Sequence, residues 1–424
     1  MELSDLRFGH APLPPRGPGY DPAADAFALI APGTPSPATT PIPGSQDFDS
    51  LRPGQRFVVR VPAAWNGDLV VCGTPAMRSE CASDATLGDF LLARGYAFAA
   101  SNKGIPYNGI IEPADAGVAR ADAYLIPFDL PGVPKNTGAI RLGALSPQAA
   151  DVAAWHADLA TLIVTVKERL RTVRGRAPRR TYAVGLSLGG GQVRWLLERH
   201  PELVDGGVEW AAVLWRPEQN VLTSLPTFLR YMPAYLAGGG NAAAARDAIV
   251  AAGFPADRRG SLPEHRSLWD DHYSFAPYYA DLTTFAFAKL LDPEAGALDT
   301  LESRAAYAPS APARARIDGF AHTGALERPL LAVVGDSDVF ITPQHNAAPY
   351  LEAVRAAGCG ARYEQYIVAG GTHVDAYAAF GYRLQPQLPF VWRAFERLVA
   401  VVEGGLPLRG DGRTQLVRTP AEIR

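Results

Sequence analysis

Cysteine and methionine are both scarce in this 424-residue chain, three of each. Cys72, Cys81 and Cys359 are too few and too scattered for a disulfide framework or a zinc site. Cys72 and Cys81 could pair across a loop; reduced, partly buried thiols are the simpler reading, and they point to a cytoplasmic address. Charge of one sign is lacking too. A net charge of −3 leaves no basic excess, which argues against nucleic acid or an anionic membrane surface as partner. No apolar run approaches the roughly 20 residues of a membrane span. Met1 to Gly19 lack the charged-then-apolar pattern of a leader peptide. Gly238 to Gly240 are not followed by a lysine and a hydroxyl residue, so no phosphate loop is expected. Nothing in the composition asks for a cofactor or a metal, no internal repeat is visible, and oligomeric state leaves no mark.

What is present is apolar content, 48% of residues, enough for a large core. The length fits two domains, or one large α/β domain carrying an insertion. Residues 1–50 are proline-rich (APLPPRGPGYDP, APGTPSPATTPIPG) and read as an extension laid on the body around Phe27 to Ile30. Strand patterns follow at Phe57 to Val61, Leu69 to Cys72 and Tyr96 to Ala100, with a helix from about Ala85 to Arg94. Residues 101–145 read as a long loop carrying Asn102, Lys103, Tyr107 and Asn108. Ser146 and Pro147 signal the start of a long helix whose His156 reads as structural, and a strand is expected from Gly207 to Trp215.

Alternating strand and helix patterns over residues 51–215 imply a mostly parallel sheet with helices on both faces. The rhythm breaks over residues 216–325, a mainly helical stretch that reads as an inserted cap. Its aromatics (Phe228, Tyr231, Tyr235, Trp269, Tyr273, Phe275, Tyr278, Tyr279) read chiefly as cap core. Asp270, Asp271 and His272 cannot all face one ion, being adjacent, so they read as a solvated turn. The rhythm resumes over residues 326–403, with strands at Leu330 to Val334 and Tyr363 to Val368 and a last helix from Leu388; residues 404–424 read as a tail.

The densest signal is RTYAVGLSLGGGQVRWLLERHP, residues 180–201. Tyr182 to Val184 reads as a buried strand, Gly185-Leu186-Ser187-Leu188-Gly189 as a G-x-S-x-G turn, and Gly190 to His200 as a helix stopped by Pro201. Side chains two residues either side of the serine would clash, and Gly185 and Gly189 remove them. Val193, Leu196 and Leu197 make the apolar face, with Arg194 and Glu198 off it. Because Ser187 fills the middle of the glycine motif and no acidic residue follows at the needed spacing, dinucleotide binding is disfavoured.

A serine hydroxyl needs a base, and the base an acid to orient it. Asp336 and Asp338 stand after one downstream strand, and Gly370-Gly371-Thr372-His373 after the next. Leu188 N–H, next after the nucleophile, is one expected oxyanion donor. The other should come from Gly73-Thr74-Pro75-Ala76; Pro75 has no N–H, and Thr74 is chosen over Gly73. His322 and His345 read as structural histidines.

This order of serine, acid and histidine resembles the α/β-hydrolase superfamily across roughly residues 55–403. GYAFAASNKG, TYAVGLSLGGGQ, LVDGGVEW and GGTHVDAY are similar to stretches in tannase and feruloyl-esterase-like enzymes and in hydroxyalkanoate-oligomer hydrolases. The resemblance implies a G-x-x-D acid, which Gly335 to Asp338 fits, so Asp338 is preferred and Asp336 is left to bond loop backbone. Tannase-type enzymes carry cysteines beside nucleophile and histidine; here the neighbours are Leu186, Leu188, Thr372 and Val374, which sets this chain apart from them. The expectation is an α/β-hydrolase fold with a Ser187–His373–Asp338 triad and oxyanion donors at Thr74 and Leu188. It would cleave a small-molecule or oligomeric carboxylic ester without cofactor. An amidase or peptidase with the same triad, or an inactive binding protein of the same fold, are the alternatives.

Overall fold

The structure, a computed structural model, describes residues 44–52, 55–77, 80–83, 87–105, 112–113, 123–125, 139–141, 143–145, 151–263, 267–275, 280–409 and 412–424. Phe27 to Ile30, Tyr107, Asn108, Ser146, Pro147, Tyr278 and Tyr279 lie outside these residues. The strands are β1 (Gly44–Arg52), β2 (Gln55–Pro62), β3 (Leu69–Gly73), β4 (Ala97–Ser101), β5 (Glu112–Pro113), β6 (Ala123–Leu125), β7 (Ala139–Arg141), β8 (Thr181–Leu186), β9 (Gly206–Trp210), β10 (Leu330–Gly335), β11 (Tyr363–Val368) and β12 (Thr414–Val417).

Nine of them form one sheet in the order β1-β2-β4-β3-β8-β9-β10-β11-β12. β1, β2 and β4 pair antiparallel, and every pairing from β4 across to β12 is parallel. The central strands LVVCG, TYAVGL and LLAVVG are buried along their whole length, as strands covered on both faces must be. Alternation sends Val70, Val184 and Val333 to one core and Leu69, Ala183 and Ala332 to the other.

Helices Val152–Arg174, Leu188–Arg199 and Ala348–Ala356 close the second face with Leu162, Val166, Leu196 and Val354. Helix Leu388–Gly404 closes the first, through Phe390, Phe395 and Leu398. Each such fully buried side chain contributes about 1.5–3 kcal/mol, so the two cores hold the sheet.

Several expectations change. The N-terminal extension ends as a strand, since β1 pairs with β2. The long helix begins at Val152 with Asp151 as its cap, accepting from Ala154 N at 2.8 Å, and Gly175 in the left-handed region ends it. The stretch read as one long loop carries a small antiparallel sheet, β5-β7-β6. β9 stops at Trp210 because Ala211 turns left-handed (φ 43°). Beyond it Leu214 N bonds the Asn346 side chain and Trp215 N bonds His322, where ladder carbonyls were expected. The tail is also part of the sheet: β12 runs parallel to β11.

Between β9 and β10 stand helices Val221–Ala237, Gly240–Ala251, Ala280–Leu291, Leu301–Ala305 and Ala311–Asp318. Phe228 stacks on Phe254 and meets Trp269 edge-on, so these aromatics fill the insertion's own core. Arg304 and Asp281 form a buried two-point pair, and Asp257 collects Tyr235 Oη, Ser267 Oγ and Trp269 N. Among the described residues no helix is long and apolar enough to cross a membrane.

Candidate active site

β8 leads straight into helix Leu188–Arg199 through Ser187, whose φ of 59° and ψ of −120° are strained for any residue but glycine. The turn is held from both sides: Ser187 N donates to Trp210 O at 2.8 Å, and Ser187 O accepts from Gly191 N and Val213 N. The flanking glycines are sterically required. A Cβ on Gly185 would stand 2.2 Å from Gly189 O, and one on Gly189 would stand 2.2 Å from Gly73 O. Leu188 opens the helix, so its N–H belongs to the first turn, which has no helical acceptor and carries the positive end of the helix dipole.

The rest of that helix is pinned by polar contacts that its apolar pattern does not reveal. Arg194 lies off the Val193–Leu196–Leu197 face, yet it is fully buried and grips Glu209 of β9 at 2.6 and 2.8 Å. His322 accepts from Trp215 N and donates to Gly191 O, a neutral strut; burial, then the nearby Arg194 charge, hold its pKa well below the usual imidazole range.

Two strands away, β10 ends in Gly335-Asp336-Ser337-Asp338. Asp338 Oδ1 accepts from Phe340 N (2.9 Å) and Ile341 N (2.8 Å), which leaves Oδ2 for His373 Nδ1 at 2.9 Å. A carboxylate oxygen only accepts, so Nδ1 carries the proton and Nε2 is the basic nitrogen of the neutral ring. Asp336 instead accepts from Gly370 N and Ser337 Oγ, at 2.8 and 2.6 Å.

His373 leaves the end of β11 on a loop pressed against the acid strand. Ser337 N donates to Gly371 O at 2.8 Å, and a Cβ on Gly335 would meet Gly371 backbone at 2.3 Å. Below the histidine the loop is stapled to helix Leu388–Gly404: Asp375 accepts from Gln387 N and Leu388 N, and Gln387 Nε2 donates to Thr372 O. Burial pushes Asp375 up to about 7, against the pull of its two amide bonds. Phe340 stands edge-on to the His373 ring at 4.9 Å. Ser187, Asp338 and His373 thus follow β8, β10 and β11, all at the carboxyl end of the parallel sheet, and are 4, 0 and 3% exposed.

Thr74 follows β3 on the same edge, and each of its polar groups is engaged. Its N–H donates to Gln192 Oε1 (3.2 Å), its hydroxyl to Ser101 O (2.6 Å), and its carbonyl accepts from Lys103 Nζ (2.7 Å). An oxyanion reaching this amide must share it with Gln192 or displace that long bond.

The Asp270–Asp271–His272 stretch is no solvated turn. Asp271 and His272 are 4 and 2% exposed. Asp271 accepts from Tyr382 Oη at 2.5 Å, and His272 stacks on Tyr377 with centroids 4.3 Å apart. Burial lowers the His272 pKa to about 4, and it feels the charges of Asp338 and His373. The side chains are drawn in because both neighbours come from the loop just after His373. His156 bonds Val152 O and stacks on Phe320, a structural residue, and His345 bonds Thr342. Gln192, Asp375 and Gln387 were not anticipated: each is a polar residue in an otherwise apolar setting, a pattern that marks burial without naming the partner.

No family model matches the sequence, and no curated protein matches it. In structure the chain is similar to feruloyl esterase B from Aspergillus oryzae, with a TM-score of 0.51 and 15% identity over 85% of this chain and 81% of that one. It is also similar to an esterase from Aspergillus oryzae, with a TM-score of 0.50 and 11% identity over 85% of this chain and 80% of that one. The fold is that of the α/β-hydrolases.

Proposed function

We propose that this chain, built on the α/β-hydrolase fold, is a serine hydrolase of carboxylic esters. The observation that carries the proposal is the Asp338–His373 bond of 2.9 Å on the sheet edge where Ser187 is held in a strained backbone. Ser187 Oγ attacks the ester carbonyl carbon while His373 Nε2 takes its proton. Asp338, oriented by two amides, keeps the proton of the ring on Nδ1 and stabilises the imidazolium that forms. The Leu188 amide, joined by the Thr74 amide as it leaves or shares its long bond to Gln192, donates to the carbonyl oxygen as it becomes negative. Collapse of the tetrahedral adduct releases the alcohol with the proton from His373, and water then cleaves the acyl-enzyme by the same steps.

The helical insertion serves as a cap over this edge. The reading is supported by Arg258 Nε on Ser337 Oγ at 2.7 Å and by the Asp271–Tyr382 and His272–Tyr377 contacts, which tie insertion residues to the acid and histidine loops. A large, aromatic-bearing insertion and the resemblance to feruloyl-esterase-like and hydroxyalkanoate-oligomer hydrolases favour an aromatic ester or a short hydroxyalkanoate oligomer over an acetate.

Ser187→Ala is expected to abolish hydrolysis of p-nitrophenyl and aryl esters and labelling by a fluorophosphonate probe. Retained turnover in the purified variant defeats the proposal, and faster cleavage of a matched amide than of its ester makes the enzyme an amidase.

A further inference from the structure

Lys103 is the one cation of the GYAFAASNKG stretch, and it is fully buried at the carboxyl end of β4. Its Nζ donates to Thr74 O and to Ala76 O, both at 2.7 Å. Lys103 and Ala76 are both non-glycine residues in the left-handed region, with φ of 60° and 43°. Such strain persists only where surrounding contacts over-determine it.

The contacts here are dense. Gly73 O accepts from Ser83 Oγ, Thr74 N donates to Gln192, Thr74 Oγ1 bonds Ser101 O, and the next two carbonyls found in contact turn inward to the ammonium. Asn102 closes the turn that presents the lysine by accepting from Gly104 N and donating to Ile105 O. Two carbonyl oxygens drawn to one Nζ hold the 74–75 and 76–77 peptide planes, the first of them adjoining the 73–74 plane that carries the Thr74 N–H and whose carbonyl is held by Ser83 Oγ. The same ammonium lies 5.8 Å from the Trp155 ring, and Trp155 O receives the Gln192 side chain, so the cation and the Thr74 amide share one scaffold.

We infer that Lys103 is a positioning residue for the oxyanion: it clamps the turn after β3 through two carbonyls, so that the Thr74 amide stays aimed as it passes from Gln192 Oε1 to the substrate oxygen on which charge builds. The inference rests on the serine-hydrolase reading above and goes beyond it by assigning a role to a residue that takes no part in the triad.

Lys103→Met keeps the apolar stem and removes the donors. In folded variant protein, judged by its thermal melt, kcat on a p-nitrophenyl ester should fall about a hundredfold, the scale of a lost oxyanion donor, with KM little changed. Inhibition by an alkyl trifluoromethyl ketone, whose serine adduct places an oxyanion in the same spot, should weaken by the same factor. An unchanged kcat, or a loss confined to KM, overturns the inference, and so does an unaltered ketone inhibition constant. If Lys103→Met does not fold, Lys103→Leu, which also removes the donors, is judged by the same criteria. Wild-type protein labelled with 15N at lysine gives a check free of variants. The Lys103 ammonium signal must be slow to exchange and must move on formation of the ketone adduct; a static signal overturns the inference. A wild type that neither hydrolyses esters nor takes up fluorophosphonate refutes the serine-hydrolase reading itself, whereas an active wild type matched by an equally active Lys103→Met refutes only the lysine's role.

Discussion

The carboxyl rim of the sheet and the helical insertion beside it are held in different ways. At the rim, Ala76, Lys103, Ser187 and Ala211 follow β3, β4, β8 and β9, and all four are non-glycine residues in the left-handed region. In the insertion, among the described residues, that region is occupied by glycine: Gly238, Gly239, Gly253, Gly296 and Gly324. The rim fixes its geometry through backbone contact, glycine against glycine at 73, 185 and 189 and again at 335 and 371. The insertion relies on side chains, the Arg304–Asp281 pair and the Asp257 and Asp292 hubs. Backbone strain thus gathers at the carboxyl ends of β3, β4, β8 and β9, beside Thr74 and at Ser187. Damage at the rim should therefore appear as lost rate, and damage in the insertion as lost stability.

Asp338→Asn tests the first half most severely. Asparagine keeps Oδ1 for Phe340 N and Ile341 N and changes only the atom facing His373 Nδ1. A fall in kcat of about ten-thousandfold with little change in melting temperature is expected from ester assays and calorimetry. A comparable loss of stability would erase the contrast. Arg304→Met tests the other half: it takes the two-point guanidinium partner away from the buried Asp281 and should cost about 3–5 kcal/mol in urea unfolding. The fraction still folded should keep near-normal kcat. Tyr235→Phe sharpens the scale, since Asp257 retains Ser267 and Trp269; about 1 kcal/mol is expected from the same unfolding curves.

The smallest effects separate the two regions by pH. His272, with its pKa lowered to about 4 from 6.5, contributes stability that is present above pH 6.5 and lost as pH falls through 4. Asp375, raised to about 7 from 3.8, contributes with the opposite sign, fully below 3.8 and lost as pH rises through 7. Melting temperatures measured from pH 4 to 8 should therefore lose part of their acid sensitivity in His272→Gln and gain it in Asp375→Asn. Parallel curves for both variants would show that neither group is perturbed as described.

The sheet and the elbow were legible because their physics is local. Strands buried on both faces must be apolar throughout, as in Leu330 to Val334, and a serine in a strained turn must have glycines two residues away. The choice of Asp338 over Asp336 came from the G-x-x-D acid that the resemblance implies, and the structure gives the former to His373 and the latter to the Gly370 amide. What escaped the sequence depended on distant partners. Nothing near Arg194 announces Glu209, and nothing near His272 announces Tyr377, 105 positions on. A short polar run such as Asp270 to His272 is solvated or buried according to what packs over it. The end of β9 was missed because Ala211 has no side-chain feature that signals a left-handed turn; a buried residue from the other half of the chain, His322, captures the amide beyond it.

β12 is short, but Val417 and Ile423 are wholly buried and Arg393 Nε reaches Ile423 O, so the final segment is anchored at both strand and turn. Severing the chain after Gly404 would bare the outer flank of YEQYIV, a β-rich stretch with unsatisfied ladder groups and only one charge. A protein trimmed there would keep Ser187, Asp338 and His373 and is expected to self-associate along that bared flank.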